Sequence, residues 1–317
     1  GKKMESALII AFQAGVMLIL LFFGYFLYKK KFLDENSSKQ LSNIVITIIS
    51  PIVIFNAYQT DFNTELLKGL LTAIALAFAT QGFFVMAARF VVRKNRKDFE
   101  VERFVVGYTN CAFMGIPLAE ATFGTEGVFF ITAYITAFNA FMWTHGVVLM
   151  SGKKLSAKGL VKIVLSPAIL SIILGLVCFF TGFRVPEIIA QPLNYLGALN
   201  TPVAMIVSGA TIAMTGIKSC FTNKRVYFLQ AIRLVILPMI IAVGYAFARR
   251  FGANETAVGS ILVAAAAPTA SAAIMFSHKF GKNAGYASNH FAASTILSIA
   301  TMPLILAFYE AVCGWIM

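Results

Sequence analysis

Apolar stretches of about 17–25 residues, enough for a helix to cross a bilayer, recur along this chain with only short polar connections between them. Ten are legible, centred near Ile19, Ile49, Ala79, Met114, Phe138, Leu174, Met205, Ile236, Ala266 and Thr295. Inside a bilayer the backbone finds no water to bond to, so each stretch must satisfy its own N–H and C=O groups as a helix. The expected fold class is an all-α integral membrane protein of ten transmembrane helices with no sizeable soluble domain. Composition agrees, because 59% hydrophobic and 12% charged residues in 317 lie far from the average of soluble domains.

A net charge of +13 in a soluble protein would point to nucleic acid, but here the positive residues alternate between connections. The first, third, fifth, seventh and ninth connections hold 20 of the 26 Lys and Arg, among them Lys29 to Lys31, Arg93 to Lys97, Lys153, Lys154, Lys158, Lys162, Lys218, Lys224, Arg225, Lys279 and Lys282. Short loops rich in Lys and Arg stay on the cytoplasmic side. The pattern predicts a multi-pass protein of the cytoplasmic membrane with both termini outside, whose partner is the lipid bilayer and not nucleic acid.

Two of the apolar segments contain a proline at membrane depth, Pro117 in TNCAFMGIPL and Pro268 in AAAAPTASAA. Proline removes a backbone donor and clashes with the preceding turn, so both segments are expected to be broken helices whose freed groups need protein, water or ligand as partners. The two prolines are 151 residues apart, as are Pro51 and Pro202, and the same shift carries Asn43 onto Asn194. Residues 1–150 and 151–317 are therefore expected to be two repeats of five helices. An odd number of spans per repeat inverts the second against the first and brings the fourth and ninth helices together near the midplane.

The polar residues in these segments are the candidate site. Thr109 and Asn110 precede the Gly115-Ile116-Pro117 break, and Asn110 either binds a ligand or satisfies the groups that the break frees. The ninth segment offers Thr269 and Ser271 among alanines that suit close helix packing, although such hydroxyls also bond back to their own helix. Gln81 and Asn139 lie mid-span and serve either binding or structure. No Asp, Glu, Lys or Arg falls at the centre of a span, with Arg233 placed near an inner end. A neutral polar site at helix N-termini suits an anion. Cys111, Cys178, Cys220 and Cys313 show no paired spacing, and neither a disulfide nor a metal or other cofactor is expected. Without a nucleophile elbow, an HExxH helix or paired intramembrane aspartates, the chain does not read as an enzyme.

From Asn110 to Pro117 the sequence reads N-x-x-x-M-G-I-P, which resembles the fourth-helix signature of the auxin efflux carrier family. That family includes plant auxin exporters and bacterial permeases for malate or malonate. The likeness extends over the ten-span layout, with Ser50-Pro51, Thr201-Pro202 and Pro268 in matching helices. It implies a fold similar to bile-acid/sodium symporters and sodium/proton antiporters. Helices one, two, six and seven would form a scaffold, also the surface of a homodimer, and helices three to five and eight to ten a mobile transport domain. It further implies that Asn110 binds a substrate carboxylate and that Asn139 helps line the site. The plant ninth helix has a second proline where Ala273 aligns, and an Asn beside its first that has no counterpart here. The expected function is a secondary or facilitative carrier of a small organic anion working as an elevator. A sodium-coupled anion symporter and a non-transporting sensor on the same fold are the alternatives.

Overall fold

The computed structural model describes residues 2–154, 161, 164–215 and 223–316, with the side chains of residues 2–11, 13 and 14 excepted. Lys158, Lys162, Lys218, Cys220 and the side chain of Gln13 thus lie outside the described residues. The protein is an all-α membrane protein. Its helices are α1 (Lys2–Lys29), α2 (Glu35–Ala57), α3 (Thr64–Val91), α4 (Phe99–Gly107), α5 (Cys111–Ser151), α6 (Pro167–Thr181), α7 (Glu187–Thr215), α8 (Lys224–Arg250), α9 (Glu255–Ala266), α10 (Ala272–Lys279) and α11 (Ala284–Ile316). Six of them, α2, α3, α5, α7, α8 and α11, meet the length and hydropathy needed to cross a membrane, and residues 15–29 of α1, α6 and α9 form shorter apolar helices.

Helix α5 has 41 residues, so a straight rod would run about 60 Å, twice the hydrocarbon thickness. It kinks at Gly124, whose φ of 64° and ψ of −156° suit a residue without a Cβ. The kink divides α5 into residues 111–123 and 125–151, which hold the fourth and fifth of the apolar centres read from the sequence.

Prolines shape these helices without breaking all of them. The five-residue π-turns Val45–Ile49, Cys111–Gly115 and Ile232–Ile236 each end two residues before a proline, namely Pro51, Pro117 and Pro238. A wide turn makes room for a ring that would otherwise strike the preceding carbonyl, and it accommodates the missing donor. This corrects one expectation: Pro117 sits in the first turn of a continuing helix, and the break in the fourth segment comes earlier, at Tyr108–Asn110. Only Pro268 stands in a break. Pro51 and Pro202 lie away from both breaks, in α2 and α7, beside a buried bond from Ser50 Oγ to Asn200 Oδ1 of 2.8 Å.

Two groupings carry the tertiary structure. In the first, α1 lies backbone to backbone on the second half of α7, where a Cβ on Gly24 would overlap the Ile206 carbonyl and one on Gly209 the Leu21 carbonyl. Small residues permit this close approach. In the second, the buried Glu102 of α4, 2% exposed, accepts bonds from Arg225 at the start of α8 at 2.8 Å, Arg96 at 3.1 Å and the Tyr286 hydroxyl of α11 at 3.2 Å. Between the groupings runs a narrow apolar seam, lined by Met17 of α1, Met114 and Leu118 of α5, and Ile299, Met302 and Pro303 of α11.

Gly209→Ala should force α1 and α7 apart. Overpacking of this kind costs about 1–3 kcal/mol, visible as a lower unfolding temperature in detergent, whereas the same change at Gly244, with open space around it, should leave that temperature unaltered. Glu102→Gln should be damaging as well. It leaves Arg225 and Arg96, 22% and 46% exposed, facing a neutral amide. Because water reaches both cations, the cost stays below the figure of about 3–5 kcal/mol for a fully buried pair, so the unfolding temperature should fall measurably.

Candidate functional site

Helix α4 ends at Gly107 and helix α9 at Ala266, both in the protein interior. Beyond α9, proline cannot donate and restricts Ala267 to extended backbone, observed as φ −59° and ψ 152°. Beyond α4, Tyr108 is extended at φ −126° and ψ 132°. The two extended pieces pass each other antiparallel and form a single bridge between Thr109 and Thr269. The Asn110 N–H donates to the Pro268 carbonyl at 2.7 Å, and the Ala270 N–H donates to the Tyr108 carbonyl at 3.0 Å. Helix α5 leaves one side of this crossing and helix α10 the other. The crossing residues are 160 apart, so the 151-residue offset aligns prolines but not the breaks.

Each interrupted helix leaves carbonyls that its own turn cannot satisfy, and side chains supply the donors. Gln81 Nε2 of α3 donates to the Gly107 carbonyl at 2.8 Å, and Thr269 Oγ1 to the Val105 carbonyl at 3.1 Å. The Thr269 N–H donates to Ser294 Oγ of α11 at 3.2 Å. At the end of α9 the donor is a charge. Arg233 Nη2 reaches the Ala265 carbonyl at 3.0 Å and the Ala267 carbonyl at 2.7 Å. Its guanidinium lies 4.8 Å from the ring centre of Phe84, one turn beyond Gln81 on α3.

Arg233 overturns the expectation of an uncharged site. Its side chain is completely buried, and it stands nine residues into α8, about 14 Å from the helix start at 1.5 Å per residue. Among the described residues no carboxylate pairs with it, and its Nε and Nη1 have no protein partner. A lone arginine inside AIRLVILPM was a sequence signal of an intramembrane charge. It was missed because positive residues just upstream made Arg233 look like the edge of a loop.

The other candidates fall around the same point to different degrees. Asn110 is 5% exposed and occupies the N-cap position of α5, yet its side chain caps nothing, and its Nδ2 is buried without a partner. Gln81 Oε1 shares that condition, whereas the buried Thr109 hydroxyl lies against Cys111 and Tyr134. Ser271 stands at the N-cap of α10, also without a side-chain cap bond. At Gly115 a Cβ would sit 3.0 Å from Ile131 Cδ1 of the same helix and in ordinary contact, 3.7 Å, with the Ala264 Cα of α9.

Asn139 is 8% exposed and donates from Nδ2 to the Ile135 carbonyl of its own helix at 2.8 Å. Its helix is nonetheless tied to the crossing, since the Tyr108 hydroxyl donates to the Phe141 carbonyl at 3.0 Å. Pro51 and Pro202 do not join the site. The residues that sequence reasoning overlooked are Arg233, Ser294 and Phe84.

Comparison with known proteins agrees with a transporter. A protein of Methanothermobacter thermautotrophicus described as an uncharacterized transporter is 25% identical over 295 residues, covering 91% of this chain and 94% of its own. A Rhizobium meliloti protein provisionally named a malonate transporter is 21% identical over 293 residues, covering 89% and 90%. An uncharacterized Escherichia coli transporter is 20% identical over 302 residues, covering 91% and 94%. The model of the family described as "Membrane transport protein" matches residues 13–306. With nearly its whole length inside that match, the chain belongs to this family of membrane transport proteins, the auxin efflux carrier family.

Proposed function

We propose that the protein carries a small organic anion with a carboxylate group across the cytoplasmic membrane by elevator-like alternating access. The observation that carries the reading is the buried guanidinium of Arg233, with Nε and Nη1 unpartnered, beside the crossing that also holds the unpartnered Nδ2 of Asn110. A buried charge without a counter-ion costs several kcal/mol, and a carboxylate supplies both the missing charge and an acceptor oxygen for Nε–H or for Nη1–H, which lie on different edges of the guanidinium. In this reading Asn110 and Thr109 hold the carboxylate at the start of α5. Thr269, Ser271 and Gln81 shape the crossing, and Asn139 lines its edge. The name of the Rhizobium relative makes malonate a sensible first probe.

The proposed architecture is two inverted repeats of five spans, residues 1–150 and 151–317, with both termini outside. Helices α1, α2, α6 and α7, spans one, two, six and seven, form the scaffold and the surface of a homodimer. Helices α3 to α5 and α8 to α11 form the transport domain. What supports this division is the bonding. The Glu102 cluster and the crossing tie α3, α4, α5, α8, α9 and α11 to one another, while α1 and α7 meet through glycine.

Thermal stability of the purified protein with malonate, malate, succinate and acetate, against chloride and sulfate at equal ionic strength, tests the substrate class. At least one carboxylate should raise the unfolding temperature and exchange in proteoliposome counterflow. A hydrogen bond to a charged group contributes about 1.5–3 kcal/mol, so Asn110→Ala should weaken that binding roughly ten- to hundredfold and abolish counterflow while the protein still folds. Undiminished counterflow in Asn110→Ala, or no response to any carboxylate, would sink the assignment.

A further inference from the structure

Carbonyls at the C-terminal end of a broken helix are where secondary transporters often hold a mobile sodium ion, because the helix dipole and the unsatisfied oxygens both favour a cation. In this protein two such oxygens at each end are already engaged. At the end of α4, Gly107 and Val105 accept from Gln81 and Thr269, both neutral. At the end of α9, Ala265 and Ala267 accept from a single nitrogen of Arg233 at 3.0 and 2.7 Å. Arginine is the one side chain that stays charged through ordinary pH even when buried. Its position is set by those two carbonyls and by the Phe84 ring 4.8 Å away, and the side chain is fully enclosed.

We propose that Arg233 is the resident cation of the crossing: it fills, permanently and covalently, the place that a coupling sodium ion would take at the end of α9, so that anion binding needs no sodium. The inference rests on the anion reading above and extends it to the coupling ion. The guanidinium has two duties, divided between its nitrogens. Nη2 completes the end of α9, and Nε and Nη1, on different edges, are each left for a single charge-assisted bond. Positive charge at the site is then constant through the cycle and does not depend on the ion gradient.

The test uses the full-length protein in detergent, with unfolding temperature as the first readout. Arg233→Ala should be several degrees less stable than wild type, and low-millimolar guanidinium chloride should restore much of that loss saturably. The same salt should not stabilise the wild type or Arg249→Ala, a variant that loses a guanidinium away from the crossing, 15% exposed and bonded to Glu255 at 2.6 Å. Arg233→Lys, which keeps the charge, should be more stable than Arg233→Ala and indifferent to guanidinium. Replacing sodium with choline at equal ionic strength should change neither the stability of the wild type nor its carboxylate binding.

Absence of a guanidinium response specific to Arg233→Ala overturns the proposal, and so does a wild type whose anion binding requires sodium. If Arg233→Ala does not fold, the sodium comparison on the wild type decides. The two readings fail separately. Rescue by guanidinium without any carboxylate response removes the anion reading alone, and carboxylate binding that needs sodium removes only the resident cation.

Discussion

Backbone groups released inside an apolar medium must find partners, and two interrupted helices release many of them at one place. The crossing of Tyr108–Asn110 with Ala267–Ser271 answers part of this demand by pairing the breaks with each other. Neither break is tenable alone, since each supplies the donor or acceptor that the other lacks. Much of the surrounding structure follows from that dependence. Helix α3 has to pass close enough for Gln81 to reach Gly107, α8 has to bring Arg233 to the end of α9, and α11 has to present Ser294 to the backbone of Thr269. The buried alanines Ala264 to Ala267 at the end of α9 are small enough to allow that convergence.

The two halves of the crossing are alike in path and unlike in chemistry. The end of α4 is closed by an amide and a hydroxyl, whereas the end of α9 is closed by a cation stacked on an aromatic ring. The second helix of each pair starts differently too. Asn110 begins α5 with a buried amide, and Ser271 begins α10 with a small hydroxyl in a less buried place. Charge and amide therefore come from different halves of the chain, Arg233 from the second and Asn110 from the first. A ligand that engages both would link the halves.

Much of this was legible in the residues. Each apolar centre falls on a helix, because length and hydropathy are strong, local signals. Asn110 and Thr269 fall at the breaks because a polar group at membrane depth has few other reasons to be there. The break in the fourth segment was misplaced because proline is a local signal with two outcomes. After a π-turn, Pro117 continues a helix, while Pro268 ends one, and the choice between them depends on the tertiary partner of the freed groups. Arg233 was misread for a related reason. Its depth depends on where α8 begins, and the start at Asn223, whose side chain caps the helix, is followed directly by Lys224 and Arg225, which read as loop charges although Arg225 is paired with Glu102. Asn139 was legible as buried, but its bond to Ile135 comes from rotamer choice within its own helix, which spacing does not reveal.

The seam between α1 and the crossing helices is lined by Met17, Met114 and Met302 with few polar groups. Methionine is unbranched and polarizable, and it keeps contact in several rotamers. Branched side chains interlocked across such a seam would make any displacement a sequence of discrete jumps, each with its own barrier. The three methionines can exchange contacts one for another at nearly constant covered area, like a lubricant film, whereas Leu118 and Ile299 on the same seam make branched, interlocking contacts. Away from the seam two hydroxyl pairs, the buried Tyr58 with Thr132 and the part-buried Thr215 with Ser288, each at 2.6 Å, add directional bonds that tie the end of α2 to α5 and α7 to α11.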